Sequence, residues 1–168
     1  MSRFLILFVV LLLVLSFLGN YPAIRELLID PWNEWLAIAS YWIIHPFDAG
    51  VGLTGNIIYP LDSRVGGGVS IESGCNGVEA IIILISAIAA FPSPWLAKIL
   101  GIIIGAAMVQ LFNLARIISL FYLVSWNQSV FEWFHHYIWP ILIIIDALVV
   151  FFIWTRLMTR RRTPAAAA

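Results

Sequence analysis

Apolar residues run almost unbroken through positions 4–18, 75–91, 99–123 and 137–155, and polar residues gather between those runs. Runs of this kind predict membrane-spanning helices, because about 20 apolar residues rising 1.5 Å each cross the hydrocarbon of a bilayer. Another stretch, 35–47, is too short to cross, and Trp32, Trp35, Tyr41 and Trp42 crowd its start and middle. It predicts an interfacial or re-entrant piece. Residues 48–72 break the pattern with Gly50, Gly52, Gly55, Pro60 and Gly66-Gly67-Gly68, marking a loop with Ile57-Ile58-Tyr59 as a short strand inside it. The expected fold is an all-α integral membrane protein with four transmembrane helices plus this short segment. The first run follows Ser2-Arg3, and Leu18-Gly19-Asn20-Tyr21-Pro22-Ala23 is a poor small-x-small cleavage site. Residues 4–18 therefore read as an uncleaved anchor helix rather than a signal peptide.

Composition agrees: 62% of residues are apolar and 11% charged, whereas a soluble domain carries about 25% charge. The expected organisation is one membrane-embedded domain over 1–163 with a disordered tail over 164–168. No basic patch with interleaved aromatics appears, so nucleic acid is not an expected partner; the lipid bilayer is. Net charge is zero, but Arg3, Lys98, Arg156 and the cluster Arg160-Arg161-Arg162 fall at ends of spans. The tendency of cations to stay inside places both termini in the cytoplasm when the chain crosses four times. The stretches 20–74 and 124–136 then lie outside, which in a bacterium is the periplasm.

The polar residues beside the spans carry the candidate chemistry. Cys75 is the only cysteine, which excludes an intramolecular disulfide and a CxxC redox pair. A lone cysteine is more often a small buried hydrophobe than a nucleophile. Its setting argues otherwise: Gly74 and Gly77 bracket it and the chain enters a helix here, and a helix N-terminus and a nearby guanidinium both lower a thiol pKa. Arg116 lies some seven residues from the outer end of its span, so roughly 10 Å deep. An arginine at a span centre costs about 2.5–3.5 kcal/mol. Snorkelling to lipid phosphates would relieve that cost, but Gln110 and Asn113 share its helical face, and such a stripe fits a buried functional surface better.

His135 and His136 stand at the entrance to the fourth span among Phe131, Trp133, Phe134, Tyr137 and Trp139. Those aromatics also suit an interfacial belt, and one histidine suffices for catalysis. Glu79, one turn after Cys75, pairs with Arg116, orients a histidine, or simply complements a helix N-terminus. A metal held by Cys75, His135 and His136 is the weaker alternative, because adjacent helical residues point about 100° apart. Asp146, midway down the fourth span, is a second buried charge expected to pair with a polar group on another helix. A thiol, a guanidinium and an imidazole at one bilayer face point to a membrane cysteine enzyme. The rival reading is a non-catalytic assembly factor or small transporter subunit that uses Arg116 and Asp146 for helix pairing.

The segment Ser73-Gly74-Cys75-Asn76-Gly77-Val78-Glu79, then Asn113-x-x-Arg116-Ile117, then His135-His136, resembles the exosortase/archaeosortase family in order and spacing. Ala90-Phe91-Pro92-Ser93-Pro94-Trp95 and Phe131-Glu132-Trp133 look most like its short exosortase H branch, and the likeness covers residues 70–155. The resemblance implies a Cys-Arg-His membrane transpeptidase; no cofactor or metal is expected. It would cleave C-terminal sorting signals (a motif, an apolar helix and a basic tail) from exported proteins through a cysteine thioester. The site would face the periplasm at the bacterial inner membrane. In many members the signal is called PEP-CTERM; the exosortase H branch is associated with an IPTL-type signal. By position Cys75 is the nucleophile, Arg116 the motif arginine, and His135 or His136 the histidine, His135 matching the short branch better. Asn76, Glu79 and Asn113 are the expected supporting residues. Most members are longer, with more spans, and the doubled histidine is a further departure.

Overall fold

The computed structural model describes residues 2–62 and 67–160. Gly66, Arg161, Arg162 and the tail 164–168, on which parts of the sequence reading fall, lie outside the described residues.

Among the described residues, three helical runs are long and apolar enough to cross a membrane: α1 (Ser2–Gly19), α5 (Trp95–Trp126) and the continuous stretch Gln128–Thr159. That last stretch is built from α6 (Gln128–Trp133), a π-helical turn (Phe134–Ile138) and α7 (Trp139–Arg160). The remaining expected span, over 75–91, is α4 (Val78–Ala90), a shorter apolar helix of 13 residues, about 20 Å long. Its ends are cut back for local reasons. Gly77, the residue before it, has a left-handed φ of 74°, and Phe91 is extended ahead of Pro92, where the proline ring disfavours helix.

α1 runs antiparallel to α4. Phe4 at its start meets Phe91 edge-on at 6.5 Å, and Gly19 at its end backs onto Ile82. α5 and α7 are likewise antiparallel, with Trp154 lying over Gly101 and donating from Nε1 to the Ala97 carbonyl at 3.1 Å. Leu84 and Val150 close over Gly105. The Gly101-x-x-x-Gly105 pair thus admits neighbours of the same chain to close approach. Ala80, Leu84, Ile88, Val109, Ile143, Ala147 and Trp154 form the core of this bundle.

α5 has 32 residues and is about 48 Å long, more than the ~30 Å hydrocarbon requires. Its upper part is sheathed by protein. The segment read as a short interfacial piece at 35–47 is α3 (Asp30–Ile44), which starts earlier and follows α2 (Pro22–Ile24) through a π-helical turn (Arg25–Ile29). Its inner face, Asn33, Leu36, Ala37, Ser40 and Ile44, is buried, while Trp35, Ile38 and Trp42 face outward.

Beside it lies a sheet of β1 (Val51–Thr54), β2 (Ile57–Pro60) and β3 (Val69–Ser70), antiparallel in that order. The all-α expectation needs this addition; only a strand at 57–59 was read from the sequence. Gly55, with φ 57°, is the first central residue of a two-residue hairpin loop that pairs Thr54 with Ile57, a place that demands glycine. Asn56 grips the far strand: its carbonyl accepts from Ile71 N at 3.0 Å and its side-chain Nδ2 donates to Ile71 O at 2.9 Å. Leu36, Ala37, Ile44, Val51, Ile58, Val69 and Ile71 pack with Ile117, Leu120, Phe121 and Val124 of α5 into a second core.

The stretch 124–136, expected as a loop, is helical except at Asn127. That residue is extended, and its side-chain oxygen caps α6 by accepting from Ser129 N at 2.9 Å and Val130 N at 3.2 Å. Two apolar cores are therefore stacked along α5. Between them runs a layer containing the buried polar side chains Asn33, Asn76, Asn113 and Arg116.

Candidate active site

Cys75 sits in the turn that leads from β3 into α4. Its backbone N–H donates to the Glu72 carbonyl at 2.8 Å, and its neighbours Gly74 and Gly77 both hold positive φ, 87° and 74°. A side chain at Gly77 would meet Gln110 Nε2 at 3.0 Å and Asn113 Cγ at 3.3 Å. Two left-handed glycines thus fold the turn flat against α5, leaving Cys75 half-buried.

α5 brings Arg116 to that turn. Its Nη1 donates to the Gly74 carbonyl at 3.0 Å and its Nη2 to Cys75 Sγ at 3.4 Å. At 2% exposure the guanidinium is buried by protein rather than turned toward lipid headgroups. The snorkelling alternative fails because α3 and the sheet cover this part of α5.

His135 completes the cluster from the π-helical turn. Cys75 Sγ is 3.9 Å from both ring nitrogens, and Phe131 stacks on the imidazole at 5.5 Å and 12°, fixing its plane. Wide turns of this kind re-aim side chains and recur at functional sites. His136 is exposed and bonds the Glu132 carbonyl through Nδ1 at 2.9 Å. Cys75, His135 and His136 therefore do not converge on a point where a metal could sit.

Glu79 stands in the first turn of α4, where a carboxylate complements the helix N-terminus, and its Oε1 accepts from Gly74 N at 2.9 Å, closing the cysteine turn. The expected lowering of the thiol pKa is corrected. Burial pushes the Cys75 thiol above its ordinary range, outweighing the lowering by Arg116, with Glu79 and Glu72 adding to the rise. A helix terminus and a guanidinium are legible in the sequence; the desolvation that outweighs them here is not.

Asn76 and Asn113 are fully buried beneath the turn. Asn76 Oδ1 accepts from Val78 N at 3.0 Å, and Gln110 Nε2 donates to the Asn76 carbonyl at 3.0 Å. Asn113 Nδ2 reaches Gln110 Oε1 at 3.4 Å. Asn33 and Trp32, which are not among the expected site residues, join this layer: Asn33 Oδ1 accepts from Asn76 Nδ2 at 2.8 Å, and Trp32 Nε1 donates to the Asn76 carbonyl at 3.4 Å. An asparagine on a short amphipathic helix some 43 residues away carries no local signal of that role.

Asp146 lies outside this cluster, and its expected partner is not found among the described residues, where its buried Oδ2 makes no hydrogen bond. An apolar concavity of about 580 Å³ lies between the far ends of α5 and α7, lined by Leu100, Ile104, Ile153 and Leu157 among others. It is remote from Cys75.

A thiol beside a guanidinium and an imidazole, set where apolar helices meet a folded cap, marks a multi-pass membrane protein with a candidate site around the cysteine. The chain belongs to the transmembrane exosortase family, whose model matches residues 2–154. No curated protein and no solved structure matches it. Membership points to a membrane-bound transpeptidase or protein-sorting function acting on exported proteins.

Proposed function

We propose that this chain is a membrane cysteine transpeptidase that cleaves C-terminal sorting signals from exported proteins through a Cys75 thioester. One observation carries the reading: Cys75 Sγ lies 3.4 Å from Arg116 Nη2 and 3.9 Å from the His135 ring nitrogens.

The thiol is held protonated by burial, so it needs a base at the moment of attack. His135 takes the Sγ proton as sulfur adds to the scissile carbonyl. The new oxyanion forms beside Arg116, whose Nη2 already reaches the sulfur and whose buried Nε–H has no partner among the described residues. Positioned donors act most strongly in such a water-poor place. The tetrahedral adduct then collapses: the C–N bond breaks, His135 returns the proton to the departing amine, and the acyl group stays on sulfur. Water or an acceptor amine attacks the thioester and restores the thiol. Phe131 keeps the imidazole aimed, and Glu79 and Asn76 hold the turn.

The substrate's own apolar helix would deliver the scissile bond at a fixed depth, turning a bimolecular encounter into a positioned one. α1, about 27 Å long, ends at Gly19 near the level where α4 begins, which supports a site close to one membrane boundary. Arg3, Lys98 and Arg156 gather at the opposite end of the bundle. By the preference of cations for the inside, that end is cytoplasmic and the site faces the periplasm of the inner membrane.

Cys75→Ala tests the reading. Membranes carrying it should insert the protein normally and leave a co-produced exported protein, one ending in a motif, an apolar helix and an arginine tail, uncleaved. Cleavage at the parental rate overturns it. The assembly-factor reading is weakened by Arg116, which binds the cysteine turn rather than Asp146.

A further inference from the structure

The three motifs leave unexplained how the cysteine turn is held from above. Asn76, next to Cys75, is fully buried, and both ends of its amide are used. Oδ1 accepts from Val78 N at 3.0 Å, and Nδ2 donates to Asn33 Oδ1 at 2.8 Å. Its carbonyl accepts from Gln110 Nε2 at 3.0 Å and Trp32 Nε1 at 3.4 Å. The orientation of this amide is therefore set by its surroundings: flipping it would put an N–H against Val78 N–H and an oxygen against Asn33 Oδ1. Asn33 is itself 4% exposed and lies on the inner face of α3.

From this we infer that Asn33 is a positioning residue for Cys75, acting through Asn76. The inference rests on the transpeptidase reading and deepens it by adding the cap to the machinery. The physical chain is short. α3 is fixed by its core residues Leu36, Ala37 and Ile44. Asn33 fixes the Asn76 side chain, and Trp32 and Gln110 fix its carbonyl. With peptide bonds planar, the Cys75 backbone is then left little freedom. Sγ stays under Arg116 and before His135. Without the Asn33 oxygen, a buried N–H of Asn76 has no acceptor and seeks another arrangement. The turn shifts, and the thiol moves out from beneath the guanidinium.

That picture makes two readouts move in opposite directions, which a general loss of structure does not. The full chain in proteoliposomes is assayed for processing of the exported protein described above, and separately for labelling of Cys75 by iodoacetamide. Asn33→Ala should lower kcat by about tenfold to a hundredfold with KM held within about twofold, the scale expected of a small misplacement of reacting groups. Labelling should become several-fold faster, because the displaced thiol is more accessible. Ser40→Ala, on the same face of α3 and removing a hydroxyl that has no partner among the described residues, should leave both at parental values. Should Asn33→Ala not accumulate, Asn33→Ser, which draws the oxygen back, is read by the same two assays with the same expected signs. Parental kcat and labelling in the Asn33 variant overturn the proposal. So do kcat and labelling that fall together in proportion to folded protein. A parent that processes no exported protein, with labelling that still quickens in Asn33→Ala, retires the transpeptidase reading and leaves the positioning of Cys75 supported.

Discussion

Lysine in place of Arg116 keeps the charge and removes the fork, so it separates two effects that alanine would merge. Arg116 spans two acceptors, the Gly74 carbonyl at 3.0 Å and Cys75 Sγ at 3.4 Å, from two different nitrogens. An ammonium is a single point on a flexible stem and does not reproduce a planar, two-pronged contact. Losing the charged hydrogen bond to Gly74 O costs about 1.5–3 kcal/mol, and that loss is shared by resting enzyme and transition state. Losing an oxyanion donor typically costs 10²–10³ in kcat, about 3–4 kcal/mol, and is felt only in the transition state. Because Nη2 already engages sulfur at rest, part of its stabilisation is present before reaction, and the lower end applies. Arg116→Lys should therefore lower kcat about a hundredfold, with KM changed by no more than about threefold. Processing of the sorting-signal protein by proteoliposomes, measured over a range of its concentrations, separates the two constants. A kcat within about threefold of the parent refutes the reasoning, as does a large rise in KM with kcat intact, which marks uniform binding.

His135→Ala should cut processing by about 10²–10⁴, the usual weight of a general base, whereas His136→Ala, whose ring faces outward, should stay near parental; the opposite ranking in the same assay would reverse the assignment. Iodoacetamide labelling of Cys75, which follows the thiolate, should rise with pH through a midpoint above the ordinary thiol value of about 8.5, since burial raises it. Arg116→Gln removes the contribution that lowers it and should move the midpoint higher still; a parental midpoint at or below that of a free thiol contradicts the desolvation argument. Gly74→Ala and Gly77→Ala both force a side chain into left-handed backbone, about 1–2 kcal/mol each. Only Gly77 adds contacts, with Gln110 and Asn113, so thermal inactivation should be earlier in Gly77→Ala; equal or reversed midpoints count against the packing described.

The periodic and compositional signals in this chain were strong where the environment is uniform. Lipid accepts only apolar surface with its backbone bonds made internally, so α1, α5 and the helix ending in α7 were legible as apolar runs. The order Cys75, Arg116, His135 was legible for the same reason: polar residues beside such runs stand out. Glycines needed for left-handed backbone at Gly74 and Gly77 marked the turn without revealing what it lay against.

What the sequence left open was set by contacts distant along the chain. The cap of α3 and the sheet depends on which face of a short helix finds the upper half of α5. Its residues are neither uniformly apolar nor long enough to declare themselves. That His135 rather than His136 faces Cys75 depends on a π-helical turn and a stacking Phe131, and the raised thiol pKa depends on burial by elements far apart in sequence. Asn33 reached the site for the same reason: hydrogen bonds between buried amides pair side chains by position in space, whereas a hydropathy pattern records only each residue's preference for water or lipid.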